Sequence, residues 1–177
     1  MDALIKHIEE GNELSLREIY VATEMLLNED VTDEKKAAFL RGLTAKGESA
    51  AEIAGFVEAF LERAVDPGVS EMNFSGPTID VCGTGGDKLN LFNVSTTSMF
   101  VIAAGGAVVV KHGNRGITSK SGGADVLEAL GIKIDVSPEV FRKCLDAAGV
   151  GFLFAPIYHP AFKAVVGVRK MLAQEGT

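Results

Sequence analysis

Residues 78–160 alternate short apolar segments with longer segments of helical character, and this alternation is the strongest constraint on the fold. The apolar segments are rich in β-branched residues, and glycines often lie between the two kinds of segment. The predicted strands are 78–82, 107–110, 132–136 and 151–155, and the predicted helices are 95–104, 124–130, 138–148 and one that starts near Pro160. Such alternation predicts an α/β domain with a mainly parallel sheet. In such sheets, ligands bind outside the carboxyl ends of the strands.

The first part of the chain instead predicts a small helical bundle. Helix-capping residues begin three predicted helices: Ser15 with Glu18 before 16–27, Thr32 before 33–45, and Ser49 with Glu52 before a helix that runs to about residue 64. The third helix carries apolar side chains at helical spacing, namely Ile53, Phe56, Val57, Phe60 and Leu61. We interpret them first as core, and self-association through the bundle is the alternative. The predicted domains are 1–68, helical, and 73–177, the first part of a larger α/β domain.

Charge and cysteine content exclude several classes of protein. The net charge of −7 is uneven, since residues 1–72 carry 16 acidic and 7 basic side chains and the remainder carries 8 and 10. This acidity argues against non-specific binding to nucleic acid or membranes. The start of the chain is polar, unlike a signal peptide, and no apolar run is long enough to span a bilayer. Cys82 and Cys144 lie in apolar surroundings without metal-ligand spacing, and we expect reduced core thiols of a cytoplasmic protein.

A glycine cluster follows the first predicted strand, in the stretch DVCGTGGDKLNLFNVSTTSMF at residues 80–100. Gly83, Gly85 and Gly86 leave backbone amides uncovered, as in loops that bind anions. Residues 93–96 then enter a helix, whose N-terminus favours phosphate. The hydroxyl residues there could instead only cap the helix. The glycines match neither the dinucleotide-binding fingerprint, because Lys88 replaces its third glycine, nor a Walker loop.

A basic cluster follows the second predicted strand, in the stretch KHGNRGITSKSGGADVLEALG at residues 111–131. A lone basic loop is usually a solvated surface, but this one should reach the same rim of the sheet as the glycine cluster. Two anion-binding loops on one rim predict a ligand with several phosphates, such as a diphosphate sugar. A divalent cation would help to neutralise it, and Asp87 and Ser95 offer the hard oxygens that Mg²⁺ prefers.

Several motifs together resemble the anthranilate phosphoribosyltransferase family. They are GTGGD, NVSTT, KHGNR, SKSGGADVLEALG and GVGFLFAPIYHPAFK, in this order and spacing, and the resemblance extends over essentially all 177 residues. It implies transfer of a phosphoribosyl group from phosphoribosyl pyrophosphate (PRPP) to anthranilate, with Mg²⁺, in tryptophan biosynthesis. It also implies a helical domain that forms a homodimer and a larger α/β domain. Class II nucleoside phosphorylases are similar in architecture but differ in their glycine-loop pattern.

The resemblance implies roles for particular residues. The PRPP site would contain Gly83, Gly86, Asp87, Asn93, Val94, Ser95, Thr96, Lys111, His112, Gly113, Asn114, Arg115, Ser119 and Gly123. Gly83, Asn114 and Arg169 would contact anthranilate, and Ser95 would be the Mg²⁺ ligand. His112 is expected to shape the loop or pack on a ring rather than to act as a catalytic base, because a cation-like sugar needs no strong base.

The chain departs from the family pattern in sequence and in length. Lys88, Leu91 and Gly123 stand where the family commonly has Gly, Thr and Ser, which bears on PRPP affinity. Family members run about twice as far, and the further part would complete the sheet and supply an Asp-Glu pair for a second Mg²⁺. We therefore expect the 177-residue chain to have negligible activity alone. The alternative functions are a non-catalytic, dimerising phosphate-binding module and a class II nucleoside phosphorylase-like enzyme.

Overall fold

The computed structural model describes residues 1–83, 92–116 and 121–174, which form two compact units. Unit 1 combines residues 1–64 with residues 159–174, and unit 2 comprises Val65–Tyr158. By packing, the last segment therefore belongs with the first helices, whereas the domain boundaries predicted from sequence divide the chain only once. Among the described residues, no helix is both long and apolar enough to cross a membrane.

The secondary structure of the described chain begins with four helices and then alternates strands and helices. The helices are α1 (Asp2–Glu9), α2 (Leu16–Leu27), α3 (Asp33–Lys46), α4 (Ala50–Leu61), α5 (Val94–Ala104), α6 (Gly123–Ala129), α7 (Pro138–Ala148), α8 (Ala155–Tyr158) and α9 (Val166–Gln174), with 3₁₀ turns at Val69–Glu71 and Pro160–Val165. The strands are β1 (Thr78–Ile79), β2 (Val108–Gly113) and β3 (Val150–Phe154). Most predicted helix starts are confirmed within one residue, but the last helix begins only after the second 3₁₀ turn.

The caps read from the sequence form as predicted in unit 1. The Ser15 hydroxyl accepts a hydrogen bond from the Glu18 amide, and the Glu18 carboxylate accepts one from the Ser15 amide. Ser49 and Glu52 repeat this capping box at α4. Each box satisfies two amides that a helix start leaves unpaired, which explains why α2 and α4 begin where they do.

The prediction of which α4 side chains lie in the core is partly wrong. The buried residues are Glu52, Gly55 and Ala59, whereas Ile53 and Val57 are more than half exposed. Small residues face α2 because a Cβ at Gly55 would already lie 2.8 Å from Ile19 Cδ1. The larger apolar side chains are therefore displaced to the flanks, where Phe56 and Phe60 are partly buried and Leu61 is exposed.

Unit 2 is built on a parallel sheet in the order β1-β2-β3. One apolar cluster contains Met99 of α5, Leu127 of α6 and Val109 of β2, and a second contains Val108 with Phe141 of α7. Neighbouring residues of β2 thus pack on helices on both sides of the sheet, as a buried parallel strand requires.

Three strand predictions in unit 2 need correction. β1 comprises only Thr78–Ile79 instead of 78–82. Residues 132–136 form no ladder with any described strand. They form a short connection between α6 and α7, and this connection places the Ile134 side chain in the apolar cluster with Met99 and Leu127. β2 is longer than predicted, since its pairing with β3 continues through Lys111↔Phe152 to Gly113↔Phe154. Lys111, His112 and Gly113 therefore belong to a strand and not to a loop.

The cysteine prediction is half correct. Within the described chain, neither Cys82 nor Cys144 forms a disulfide, but both are exposed rather than buried in the core. Cys82 lies just beyond the end of β1, and Cys144 lies on the outer face of α7, whose buried residues are Phe141 and Leu145. Apolar neighbours in sequence did not predict burial, because helix and strand geometry send adjacent side chains in different directions.

Candidate active site

β1 and β2 run parallel in unit 2, and the chain that continues from β1 runs beside the carboxyl half of β2. The chain leaves β1 after Ile79 and leaves β2 after Gly113. The His112 amide is 3.3 Å from the Asp80 carboxylate, so the two strand ends are joined by a further hydrogen bond. This is the edge at which ligands bind in open parallel sheets.

Lys111 is the buried cation of this edge. Its side chain is only 3% exposed, and Nζ donates to the Val81 carbonyl at 2.7 Å and to the Ser95 hydroxyl at 3.2 Å. Burial lowers the pKa of Lys111 below its ordinary value, against the attraction of Asp80 and Cys82. One ammonium group thus joins the segment after β1 to the first turn of α5.

The N-terminus of α5 faces the segment that precedes α6. Asn93 Nδ2 donates to the Ser121 carbonyl at 3.3 Å, while within the described chain its side chain makes no capping bond to α5. The Val94 amide donates to the Phe92 carbonyl at 2.7 Å, and among the described residues the amides of Ser95 and Thr96 have no acceptor. A helix N-terminus with such uncapped amides favours an anion. Of the hydroxyl residues that could instead only cap the helix, Thr97 donates to the Asn93 carbonyl at 3.0 Å.

Thr96 and Gly123 meet directly in this region. Thr96 is buried, and its hydroxyl has no hydrogen-bond partner among the described residues. A Cβ added at Gly123 would lie 2.8 Å from Thr96 Oγ1. A serine at this position would therefore crowd Thr96.

The segment after β2 is held by acidic residues of α6. Asp125 Oδ2 accepts from the amides of Gly116 at 2.9 Å and Gly122 at 2.7 Å. These two hydrogen bonds lower the pKa of Asp125 below its ordinary value. Arg115 is paired with Glu128, contacts Asp125 at 3.4 Å and lies over the ring of Phe154.

The structure brings together only part of the site predicted from sequence. Five members of the predicted PRPP set converge: Asn93, Ser95, Thr96, Lys111 and Gly123. Gly113 ends β2, Asn114 follows it, His112 bonds Asp80, Val94 is exposed in the first turn of α5, and Gly83 is exposed beyond β1. Gly86, Asp87, Ser119, Lys88 and Leu91 lie outside the described residues, and Arg169 is exposed on α9 of unit 1.

Sequence reasoning missed the groups that hold this site in place. The Val81 carbonyl bears no side-chain signal, so its bond to Lys111 was not predictable. Asp125, by contrast, lies three residues after Gly122, at the position where an acidic residue of a capping box is expected. That spacing was a readable signal of its contact with the Gly122 amide.

The described residues alone do not form a complete metal site. Among them, no group of three or more His, Cys, Asp or Glu side chains could hold a metal ion. Ser95 supplies one hard oxygen, beside the ammonium group of Lys111. Ser95 could therefore hold Mg²⁺ only together with oxygens from elsewhere, such as those of a bound diphosphate, which Mg²⁺ commonly uses beside one or two protein ligands.

The chain belongs to the glycosyl transferase family: the helical bundle domain of that family matches residues 2–64, and its a/b domain matches residues 75–175. Curated proteins that are similar to this chain are named anthranilate phosphoribosyltransferase. That of Syntrophomonas wolfei is 47% identical over 97% of this chain, and that of Methanosarcina acetivorans is 50% identical over 97%.

Solved structures agree with the sequence comparison. Anthranilate phosphoribosyltransferase from Thermus thermophilus is 38% identical and superposes with a TM-score of 0.81 over 96% of this chain. The Saccharomyces cerevisiae enzyme in complex with PRPP and Mg is 27% identical, with a TM-score of 0.80 over 97% of this chain. The chain spans about half the length of the relatives it matches, 49% and 45% of the two curated proteins and 50% of the Thermus chain.

Proposed function

We propose that this chain provides the PRPP-binding part of an anthranilate phosphoribosyltransferase, which transfers the phosphoribosyl group to anthranilate and releases pyrophosphate. The convergence of Lys111, Ser95 and the N-terminus of α5 at the ends of β1 and β2 is the observation that carries the proposal. Support also comes from the similar curated proteins, which are anthranilate phosphoribosyltransferases, and from a similar structure that contains PRPP and Mg.

The chemistry matches these groups. Breaking the bond at C1 of the ribose leaves positive charge on the sugar and adds negative charge to the departing pyrophosphate. Buried Lys111 and the uncapped amides of α5 are fixed before the reaction, so they stabilise this developing charge more than the ground state. Bound Mg²⁺, with Ser95 as the ligand from the described residues, would neutralise further pyrophosphate charge.

Loss of anthranilate fluorescence in the presence of PRPP and Mg²⁺ tests the proposed activity. Two chains are compared: the 177-residue chain, and one that begins with these residues and extends to the length of the relatives. We expect turnover by the longer chain and negligible turnover by the shorter one. Activity of the short chain within about tenfold of the long one, or about 1.4 kcal/mol in barrier height, would show that the second half is not needed. An inactive long chain that still binds PRPP would favour the non-catalytic alternative.

Unit 1 is proposed to form a homodimer through its exposed apolar surface. Leu16 on α2 is 61% exposed, and Ile53, Val57 and Leu61 on α4 are 55%, 51% and 58% exposed. The last three are spaced by four residues, so they form one continuous ridge along α4. A continuous apolar ridge on the surface of a small helical bundle is typical of a protein–protein contact.

Val57→Glu should dissociate the dimer, because it places a charge in an apolar contact. Sedimentation velocity should show a dimer for the parent and, at the same concentration, mainly monomer for Val57→Glu. Val101→Glu is the matched control, since Val101 is 69% exposed on α5 of unit 2. A dimer that survives Val57→Glu, or a parent that is already monomeric, would contradict this surface.

A further inference from the structure

The Asp125 carboxylate joins two stretches of backbone on either side of residues 117–120. Its Oδ2 accepts hydrogen bonds from Gly116, after β2, and from Gly122, before α6. Its Oδ1 lies 3.4 Å from Arg115 Nη1. One side chain therefore bridges the two stretches.

Other close contacts fix the same junction. The Ala124 amide donates to the Asn114 carbonyl at 3.2 Å, and the Arg115 amide donates to Asn114 Oδ1 at 2.8 Å. A Cβ at Gly122 would lie 2.3 Å from the Gly116 nitrogen, so only glycine allows this approach. Asp125, Asn114 and Gly122 thus all support the same close approach of the two stretches.

The junction adjoins the proposed PRPP site. Ser121, next to Gly122, accepts from Asn93 at the N-terminus of α5, and Gly123 packs on Thr96. A shift of the junction would therefore move the groups around the uncapped amides of α5. Asp125 is well placed to control phosphate binding without contacting the phosphate.

Two roles for the carboxylate are chemically distinct. Asp125 could fix the backbone that a diphosphate needs, or it could occupy, as an internal anion, amides that a diphosphate would otherwise bind. The remaining contacts favour the first role, since the hydrogen bond from the Ala124 amide to the Asn114 carbonyl joins the same two stretches as the carboxylate does. An internal anion would need no such additional bonds.

We infer that Asp125 is a positioning residue for PRPP: its carboxylate clamps Gly116 to Gly122 and so holds the segment beside the N-terminus of α5 in a binding geometry. The inference rests on the proposed function for its ligand. The clamp itself consists of two hydrogen bonds, from the amides of Gly116 and Gly122, and these can be measured without any ligand.

Amide hydrogen exchange of Gly116 and Gly122, followed by NMR, tests the clamp in the 177-residue chain. Asp125→Ala should accelerate exchange of both amides by about tenfold or more, since a hydrogen bond to a charged group is lost. Glu128→Ala is the matched control, because it removes another acidic contact of Arg115 from the same helix and leaves both amide bonds intact. Unchanged exchange in Asp125→Ala, or equal acceleration in both variants, would overturn the clamp.

Calorimetric titration with PRPP and Mg²⁺ tests the positioning role on the same proteins. Asp125→Ala should weaken binding by about tenfold, whereas Asp125→Asn, which keeps an acceptor oxygen, should remain within about threefold of the parent. If Asp125 were only structural, Asp125→Ala would lower the melting temperature but would not differ from Asp125→Asn in PRPP affinity. If Asp125→Ala does not fold, Asp125→Ser replaces it, because a serine hydroxyl is too short to reach both amides.

The outcomes separate the inference from the proposed function. Unchanged PRPP affinity in a variant with faster exchange would overturn the positioning role. Tighter binding by Asp125→Ala would overturn it in favour of an internal anion that competes with phosphate. A parent chain that does not bind PRPP would contradict the proposed function and the ligand role, while the exchange rates would still decide whether the clamp exists.

Discussion

Lys111→Met should weaken PRPP binding by at least about tenfold, the equivalent of about 1.4 kcal/mol. Methionine keeps most of the side-chain volume but removes the charge, so the diphosphate loses its buried cation. The Val81 carbonyl and the Ser95 hydroxyl also lose their shared donor. An unpaired buried polar group costs about 1–3 kcal/mol, so the free energy of unfolding should fall as well.

A matched control separates the local effect of Lys111 from the change in net charge. Lys133→Met removes one positive charge from unit 2 at an exposed position. Calorimetry with PRPP and Mg²⁺, together with urea unfolding, should show a large change for Lys111→Met and little change for Lys133→Met. Equal PRPP affinity in the two variants would remove Lys111 from the site.

Glu52→Ala should lower the stability of unit 1 by about 3–5 kcal/mol, the usual cost of removing one member of a buried ion pair. Glu52 is fully buried and accepts hydrogen bonds from Lys46 Nζ at 2.7 Å and from the amides of Leu14 and Ser49. Its loss leaves the nearly buried Lys46 without its charge partner. Glu58→Ala on the exposed side of the same helix should change stability by no more than about 0.5 kcal/mol.

The stabilisation by Glu52 should depend on pH with a defined sign. Burial alone would raise the pKa of Glu52, but hydrogen bonds from Lys46, Ser49 and Leu14 outweigh it and hold the pKa below its ordinary value of 4.5. The contribution is therefore fully present above that value and is lost as the pH falls through the lowered pKa. In urea unfolding at decreasing pH, the difference in stability between the parent and Glu52→Ala should become smaller below pH 4.5. A constant difference would contradict this account.

Local sequence signals predicted most of the helices and the class of the fold. Ser15 and Ser49 form their capping boxes because the interaction spans only three residues and needs no tertiary context. The alternation of strands and helices similarly predicted a parallel sheet. Residues 132–136 were assigned wrongly because an apolar, β-branched stretch can bury one side chain, here Ile134, without pairing with a strand.

The candidate site was predictable in residue type but not in arrangement. Lys111 was expected in a loop facing the ligand, and it lies in β2 with its ammonium group held by Val81 and Ser95. Arg115 was expected on the diphosphate, and in the described chain it is paired with acidic residues of α6. Such long-range partners depend on tertiary packing, which a single sequence does not specify by spacing.

The central claim is that the ends of β1 and β2 and the N-terminus of α5 form a PRPP site, and direct titration tests it. Calorimetry of the 177-residue chain with PRPP should show saturable binding that requires Mg²⁺ and that is weakened by Lys111→Met but not by Lys133→Met. Absence of binding by the folded parent at millimolar PRPP, or binding that Lys111→Met leaves unchanged, would contradict the claim.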